Sequence, residues 1–208
     1  MNLETLKAAE EQFFNEYPEG FGSPEFVDII KRHNVDKLSL FAKEELSKEK
    51  FEDTNKVVAA AIKIITTSSM VSVFEKMRFR DYSKSLTRMR KKTFAKGFYE
   101  LLHGDQQKGF ELLLSELERH KLAKWTIISA VPFYYKPKKE YFIKPMTTKG
   151  VISRLELDLE YKPKPTWAFY KKYRTALNKM KKAVDQELSP NHAAFTGFLM
   201  MSLEEDEL

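Results

Sequence analysis

"TNKVVAAAIKIITT", residues 54–67, decides the fold. From Val57 to Ile65 it is apolar almost all round, which is the composition of a helix buried in the middle of a domain. Thr54 is expected to cap it. A buried helix needs neighbours, and the sequence on both sides supplies helical patterns. Residues 3–17 read as a polar first helix ending at "YPEGFGSP". Ser23 with Pro24 reads as the start of a short helix whose inward stripe is Phe26, Ile29 and Ile30. Residues 36–47 repeat the pattern with Leu38, Phe41 and Ala42. After a loop at 66–69, residues 84–103 read as one or two helices, and Asp105 caps a further one that buries Phe110, Leu113, Leu114 and Leu117. The expected core includes Val57, Val58, Ala61, Ile62, Ile65, Leu113, Leu117, Leu177 and Met180.

The texture changes near Lys124. "WTIISAVPFYY" is β-branched and aromatic but holds Pro132, so helix and strand both stay open. "EYFIKP" reads as extended, because a residue before proline is pushed out of helical space. Thr147 or Thr148 is placed to cap one or two turns burying Val151, Ile152 and Leu155. In "LELDLEY" the leucines Leu155, Leu157 and Leu159 alternate with Glu156, Asp158 and Glu160, the period of a half-exposed strand. Thr166 caps a last long helix with Phe169, Tyr173, Leu177, Met180 and Val184 in one arc and Lys171, Lys172, Lys179 and Lys182 in the other. The expected fold is therefore mainly α: a single-domain helical bundle over residues 1–208. It carries a small extended or β element near residues 125–161, a Pro-, aromatic- and Lys-rich excursion at 132–166, and an acidic tail at 202–208.

Composition narrows the function. The chain has 208 residues, 42% hydrophobic and 32% charged, and no cysteine. That excludes disulfide frameworks, thiolate nucleophiles and cysteine zinc sites. No apolar run is long enough to cross a membrane, and the N-terminus lacks the pattern of a secretory signal, so a soluble, cytoplasmic protein is expected. There is no P-loop, GxSxG or GxGxxG. The four histidines are scattered, with none at helical ligand spacing from another. No cofactor is expected.

The net charge of +6 is unevenly distributed. Residues 132–182 carry fourteen Lys and Arg against four acids, whereas residues 183–208 carry six acids and no Lys or Arg. A second basic knot, "EKMRFRDYSKSLTRMRKK", spans 75–92. Charge of one sign gathered in one region favours an anionic partner. The expected polyanion face comprises Lys136, Lys138, Lys139, Lys144, Lys162, Lys164, Trp167, Lys171, Lys172, Lys179 and Lys182. Lysines there would meet phosphates and aromatic rings would stack on bases. The aromatics of this region have a structural reading too, in which they pin the 132–166 excursion onto the last helix.

Two alternatives stand beside this non-catalytic reading, and enzymatic activity stays open. Glu156, Asp158 and Glu160 on one strand face, with Lys162 next in the series, have the carboxylates and lysine that a metal-dependent nuclease uses; Glu160 and Lys162 are its catalytic candidates. An exposed apolar patch at Phe195, Phe198, Leu199, Met200 and Met201 would instead mark a protein-interaction module. Partner and oligomeric state stay open beyond nucleic acid or another acidic molecule.

A resemblance rests on "FIKPMTTKGVISRLELDLEYKPKPTWAFY". Through Phe142, Lys144, Pro145, Thr148, Leu159, Tyr161, Pro163, Trp167 and Tyr170 it resembles a group of uncharacterised bacterial cytosolic proteins, and "YPEGF" and "FEKMRFRDY" share the likeness. It covers about half of the chain and implies a bacterial cytosolic protein. No activity and no site residue come with it.

Overall fold

The computed structural model describes residues 1–203, and over them the chain is mainly α, with eleven α-helices and no strand among the described residues. In chain order these are α1 (Leu3–Glu16), α2 (Val27–His33), α3 (Val35–Glu45), α4 (Thr54–Thr67), α5 (Val73–Lys84), α6 (Arg88–His103), α7 (Gln106–Glu118), α8 (Trp125–Tyr135), α9 (Pro145–Arg154), α10 (Trp167–Ala183) and α11 (His192–Leu203). One continuous hydrophobic core joins them.

Two helices share the centre. α4 packs on α3, α5, α6 and α8, and buries Val57, Val58, Ala60, Ala61, Ile64 and Ile65. Ile62, expected in the core, is only partly buried: at 100° per residue it falls about 40° beyond Val58, on the edge of the buried arc. The N-cap is Asp53, whose carboxylate accepts from Asn55 and Lys56 N–H, and Thr54 is the first helical residue. The deeper element is α8. All ten residues from Trp125 to Tyr134 are buried, so "WTIISAVPFYY" is a helix surrounded by the α3, α4, α6 and α7 helices. A helix buried all round has no amphipathic period to read. Interior Pro132 costs about 3 kcal/mol, a penalty offset by burying Ile127, Ile128, Val131 and Phe133.

α6 and α7 form an antiparallel hairpin turned at Gly104 and Asp105, with Asp105 capping α7 as expected. Their axes come close at Gly97 and Gly109. A β-carbon at Gly109 would lie 2.7 Å from the Gly97 carbonyl and closer still to the Leu101 amide nitrogen. α5 was not anticipated as a helix of its own, although Ser72 and Glu75 form a reciprocal capping box with the Ser-x-x-Glu signature.

The 132–166 excursion begins in the last turn of α8, contains α9 and has no strand. Residues 155–161 alternate in exposure as expected, with Leu155 buried, Leu157, Leu159 and Tyr161 half-buried, and the three acids exposed. No second segment pairs with them, so the expected β element is absent; a chain lying extended on a core shows the same period of two. Thr147 and Thr148 do not cap α9, which starts at Pro145 after Lys144. The aromatics do pin the excursion: Trp125 Nε1 donates to the Lys162 carbonyl at 2.8 Å, and Phe169 packs on Trp125 and Tyr161. Ser202 and Leu203, placed in the acidic tail, end α11; residues 204–208 lie outside the described residues.

Candidate functional site

The eleven residues of the expected polyanion face do not act as one surface. Lys171, Lys172, Lys179 and Lys182 stand exposed along α10, and Lys138 and Lys139 are exposed before it; none of the six has an ion-pair partner among the described residues. The rest are engaged. Lys136 turns inward to donate to the Leu102 carbonyl, and burial depresses its ammonium pKa. Lys162 pairs with Glu160 at 3.3 Å and Lys164 with Glu118 at 2.5 Å. Trp167 packs at a tilt against Phe110 and Tyr170, with the Arg174 guanidinium over its ring at 5.7 Å. Lys144 lines a cleft on another part of the molecule.

The acidic series does not form a metal centre. Glu156 ends α9 with a left-handed backbone (φ 49°) and accepts from the Asn2 side chain. Asp158 and Glu160 are exposed, and no group of three or more metal-ligating side chains converges among the described residues. With no strand beneath them, the carboxylates are held by no ladder. The expected apolar patch also fails to form: Phe195, Phe198 and Leu199 are fully buried, which leaves only Met200 and Met201, on the wall of the same cleft.

That cleft has a volume of about 1090 Å³. One wall is α2 with the loop before it, and the other is α11; α9 and the middle of α10 make the floor. The walls are apolar, from Phe21, Phe26, Ile29, Ile30, Met200 and Met201 among others. α2 buries none of its residues, and Ile29 and Ile30 are 43% and 52% exposed rather than inward-facing. They were expected to point into the core; instead they face the cleft opening. Ser23 makes no capping bond there, and its hydroxyl is buried without a partner. The wall is nonetheless backed firmly. Phe21 and Phe26 stack with Phe13 and Tyr17 of α1 and its following turn, and Phe13 meets Phe198 of α11 at 5.4 Å.

The lining also holds polar residues, among them His33, Lys144, Thr147, Thr148 and Tyr173. His33 Nδ1 sits 2.8 Å from Ser69 Oγ. Burial lowers its pKa first, and the charges of Lys144 and Arg32 lower it further, so at neutral pH the ring is uncharged. Burial raises the pKa of the Tyr173 hydroxyl, and a hydrogen bond with Thr148 partly opposes the shift. Phe142, Lys144 and Thr148, three residues of the resemblance to bacterial proteins, all border the cleft. Sequence reading missed this site because its lining is scattered from Pro18 to Met201. The available signal was the pair Ile29–Ile30 on a helix too short to bury much, and Lys144 set among apolar residues.

Two buried carboxylates lie outside the cleft. Glu140 accepts from Gln106 (2.8 Å), Tyr170 (2.7 Å) and Arg174 (2.7 Å), tying α7 and α10 to the excursion. The Glu140 carbonyl lies 3.0 Å from Nδ1 of His192, whose ring stacks on Tyr141 at 3.7 Å. Glu116 lies between Tyr82 and Arg90, at 3.4 Å from each. Every oxygen of Glu140 is occupied by the protein, so both clusters read as struts that hold helices together.

The molecule thus presents an all-helical domain with one large apolar cleft and no helix among the described residues long and apolar enough to cross a membrane. No family model, no curated protein and no solved structure matches the chain.

Proposed function

We propose that this chain is a non-catalytic binding protein of the bacterial cytosol whose cleft takes a small, predominantly apolar molecule. The observation that carries the reading is the cleft itself: about 1090 Å³, walled by phenylalanine, isoleucine and methionine, with polar groups set among them. Ligand sites are concave, mostly apolar and equipped with few oriented polar groups. The exposed isoleucines of α2 would gain burial when the cleft fills, at about 25 cal/mol per Å². The lack of cysteine suits a reducing compartment. The test is a titration with the neutral apolar dye Nile red. Saturable fluorescence enhancement is expected, strongly weakened by Ile30→Asp, a change that an exposed position tolerates. A wild-type protein that fails to bind, or an Ile30→Asp variant that binds equally well, would refute it.

A second reading has its own support. Six lysines of the expected basic face are exposed, with no ion-pair partner among the described residues, and suit weak, sequence-independent binding of a polyanion such as nucleic acid. Engaging about five phosphates of a single strand gives a slope of about −3.5 in log K against log salt. Lys171→Glu/Lys172→Glu should flatten it; equal, negligible affinity of both proteins for single-stranded DNA at low salt sinks this reading. The acid-lysine series Glu156, Asp158, Glu160 and Lys162 carries no nuclease proposal, since no metal-ligating group converges on it among the described residues.

A further inference from the structure

We infer that the outward face of α5 docks on an anionic lipid surface, with Val73, Phe74 and Met77 entering the headgroup layer and Lys76, Arg78 and Arg80 lying among the lipid phosphates. The inference does not depend on what the cleft binds.

The sequence of α5, "VFEKMRFRDYSK", carries two sets of apolar residues, and the fold uses one of them. Phe79 and Tyr82 are buried in the core, where both rings meet Phe94. At about 100° per residue, Val73 and Met77 point to the opposite side of the helix, and Phe74 lies about 60° from Met77. Val73 is 68% exposed, Phe74 80% and Met77 54%. Met77 stands four residues from Val73 and three from Phe74, so the three side chains are neighbours on the helix surface. Single exposed apolar residues are ordinary on a folded protein, whereas a cluster of them marks a contact surface.

Charge selects what the face contacts. Half-buried Lys76 flanks the patch on one side and exposed Arg78 on the other, and exposed Arg80 stands one turn beyond Met77. None of these three cations has an ion-pair partner among the described residues. The acids of the helix are committed elsewhere: Glu75 accepts from Ser72 and Thr126, and Asp81 pairs with Lys84 at 3.6 Å. Apolar tips therefore stand within a fringe of unpaired cations. An anionic bilayer complements both at once, with hydrocarbon beneath and phosphates at the level of the fringe. A second copy of this chain would set cation against cation across a two-fold contact. A stable protein partner covers about 800 Å² per side with matched shape, more than three side chains of one helix supply. A bilayer takes in protruding side chains without needing a shaped counterpart.

The face adjoins the cleft along the chain. Met70 lines the cleft three residues before Val73, so at most about 11 Å of backbone separates the two. A helix lying on the membrane in this way needs no spanning segment.

Co-sedimentation of the full-length protein with vesicles tests the inference, using phosphatidylcholine alone and phosphatidylcholine mixed with phosphatidylglycerol. Affinity for the anionic vesicles is expected to exceed that for the neutral ones by about fivefold per cation at the surface, or about 100-fold for three, and to fall as salt rises. Phe74→Ser/Met77→Ser and Arg78→Glu/Arg80→Glu should each weaken it about tenfold or more. All four positions are exposed, and far-ultraviolet circular dichroism checks that the variants fold. Lys171→Glu/Lys172→Glu, on α10, should leave it unchanged. Phe74→Trp offers a second readout, since its emission should shift to the blue on anionic vesicles and not on neutral ones. A wild-type protein that binds neither vesicle, or both equally, overturns the inference. So does binding that survives Phe74→Ser/Met77→Ser, or that the α10 variant removes. A dimer in sedimentation velocity that Phe74→Ser/Met77→Ser dissolves, with no vesicle binding, would assign the face to a second copy of the chain instead.

Discussion

Replacing Gly109 by alanine should destabilise this protein although it improves a helix. In an exposed helix the change gains about 1 kcal/mol, because alanine is the better helix former. Here the new methyl group would meet the backbone of the facing helix. It would lie 2.7 Å from the Gly97 carbonyl oxygen and from Leu101 Cα, and nearer still to the Leu101 nitrogen. Ordinary contact begins beyond 3 Å, so α6 and α7 must part by about 1 Å, and a gap of that size forfeits a quarter to a half of each dispersion contact along the seam. Overpacking against atoms that cannot swing aside costs about 1–3 kcal/mol and sometimes more. Contact with three backbone atoms places this change at the upper end of that range, so with the propensity gain subtracted a net loss of about 2 kcal/mol is expected. Gly97→Ala is the control: its methyl would strike the Leu113 side chain at 2.7 Å, and a side chain can change rotamer. It should therefore cost less, about 1 kcal/mol or below. Equilibrium urea unfolding followed by far-ultraviolet circular dichroism reads both. A Gly109→Ala protein as stable as the wild type, or more so, would show that the helices do not approach each other at this residue.

Three further outcomes follow from the packing. Glu140→Ala should cost about 3–5 kcal/mol, since it strands Arg174 and the buried Tyr170 hydroxyl without their shared acceptor; a loss below 1 kcal/mol in urea unfolding would remove Glu140 from the struts. Ile64→Ala, at a fully buried position, should cost about 2–5 kcal/mol, and Ile62→Ala, on the edge of the arc, clearly less; equal losses would refute the orientation of α4. His192 has its pKa pushed down to about 4, mainly by burial, so its neutral form is the one that the fold accepts. Its contribution is fully present above about pH 6.5 and is lost as pH falls toward 4, by about 2–3 kcal/mol once some solvent screening is allowed for. His192→Asn should flatten that part of the stability–pH curve, and an unchanged curve would count against it.

The sequence made the helices legible wherever a helix has two different sides. α10 separates its aromatic and lysine arcs cleanly, and α7 announces itself through Asp105 and the leucines behind it. The reading weakened where that contrast disappears. α8 is buried all round, so it offers β-branched and aromatic residues with no period, and Pro132 argues against the helix that tertiary burial enforces. Leu155 to Tyr161 offered a period without a partner: alternation records which residues touch a surface, and pairing with another strand is a separate fact. The cleft was the least legible feature. Ile29 and Ile30 look like any inward stripe, and only the geometry of α2 reveals that no described residue covers them fully. The charged residues were visible one by one, but not which would be consumed by neighbours, as Lys162, Lys164 and Lys136 are.

α1 packs against α11, with Phe13 on Phe198, while the Asn2 amide donates to the Leu155 carbonyl. On a ribosome this arrangement imposes a wait. At about 5–20 residues per second, the 185 positions between Phe13 and Phe198 take about 10–40 s to synthesise. Throughout that interval Leu6, Ala9 and Phe13 have lost their entry to the core, because the helix that covers them does not yet exist. The α6–α7 hairpin can close on its own as soon as it emerges, but the cleft cannot, since its α11 wall is made long after its α2 wall. Nascent chains that stop short of α11 should therefore expose an aromatic surface to chaperones, and the cleft should come into being only once α11 has emerged.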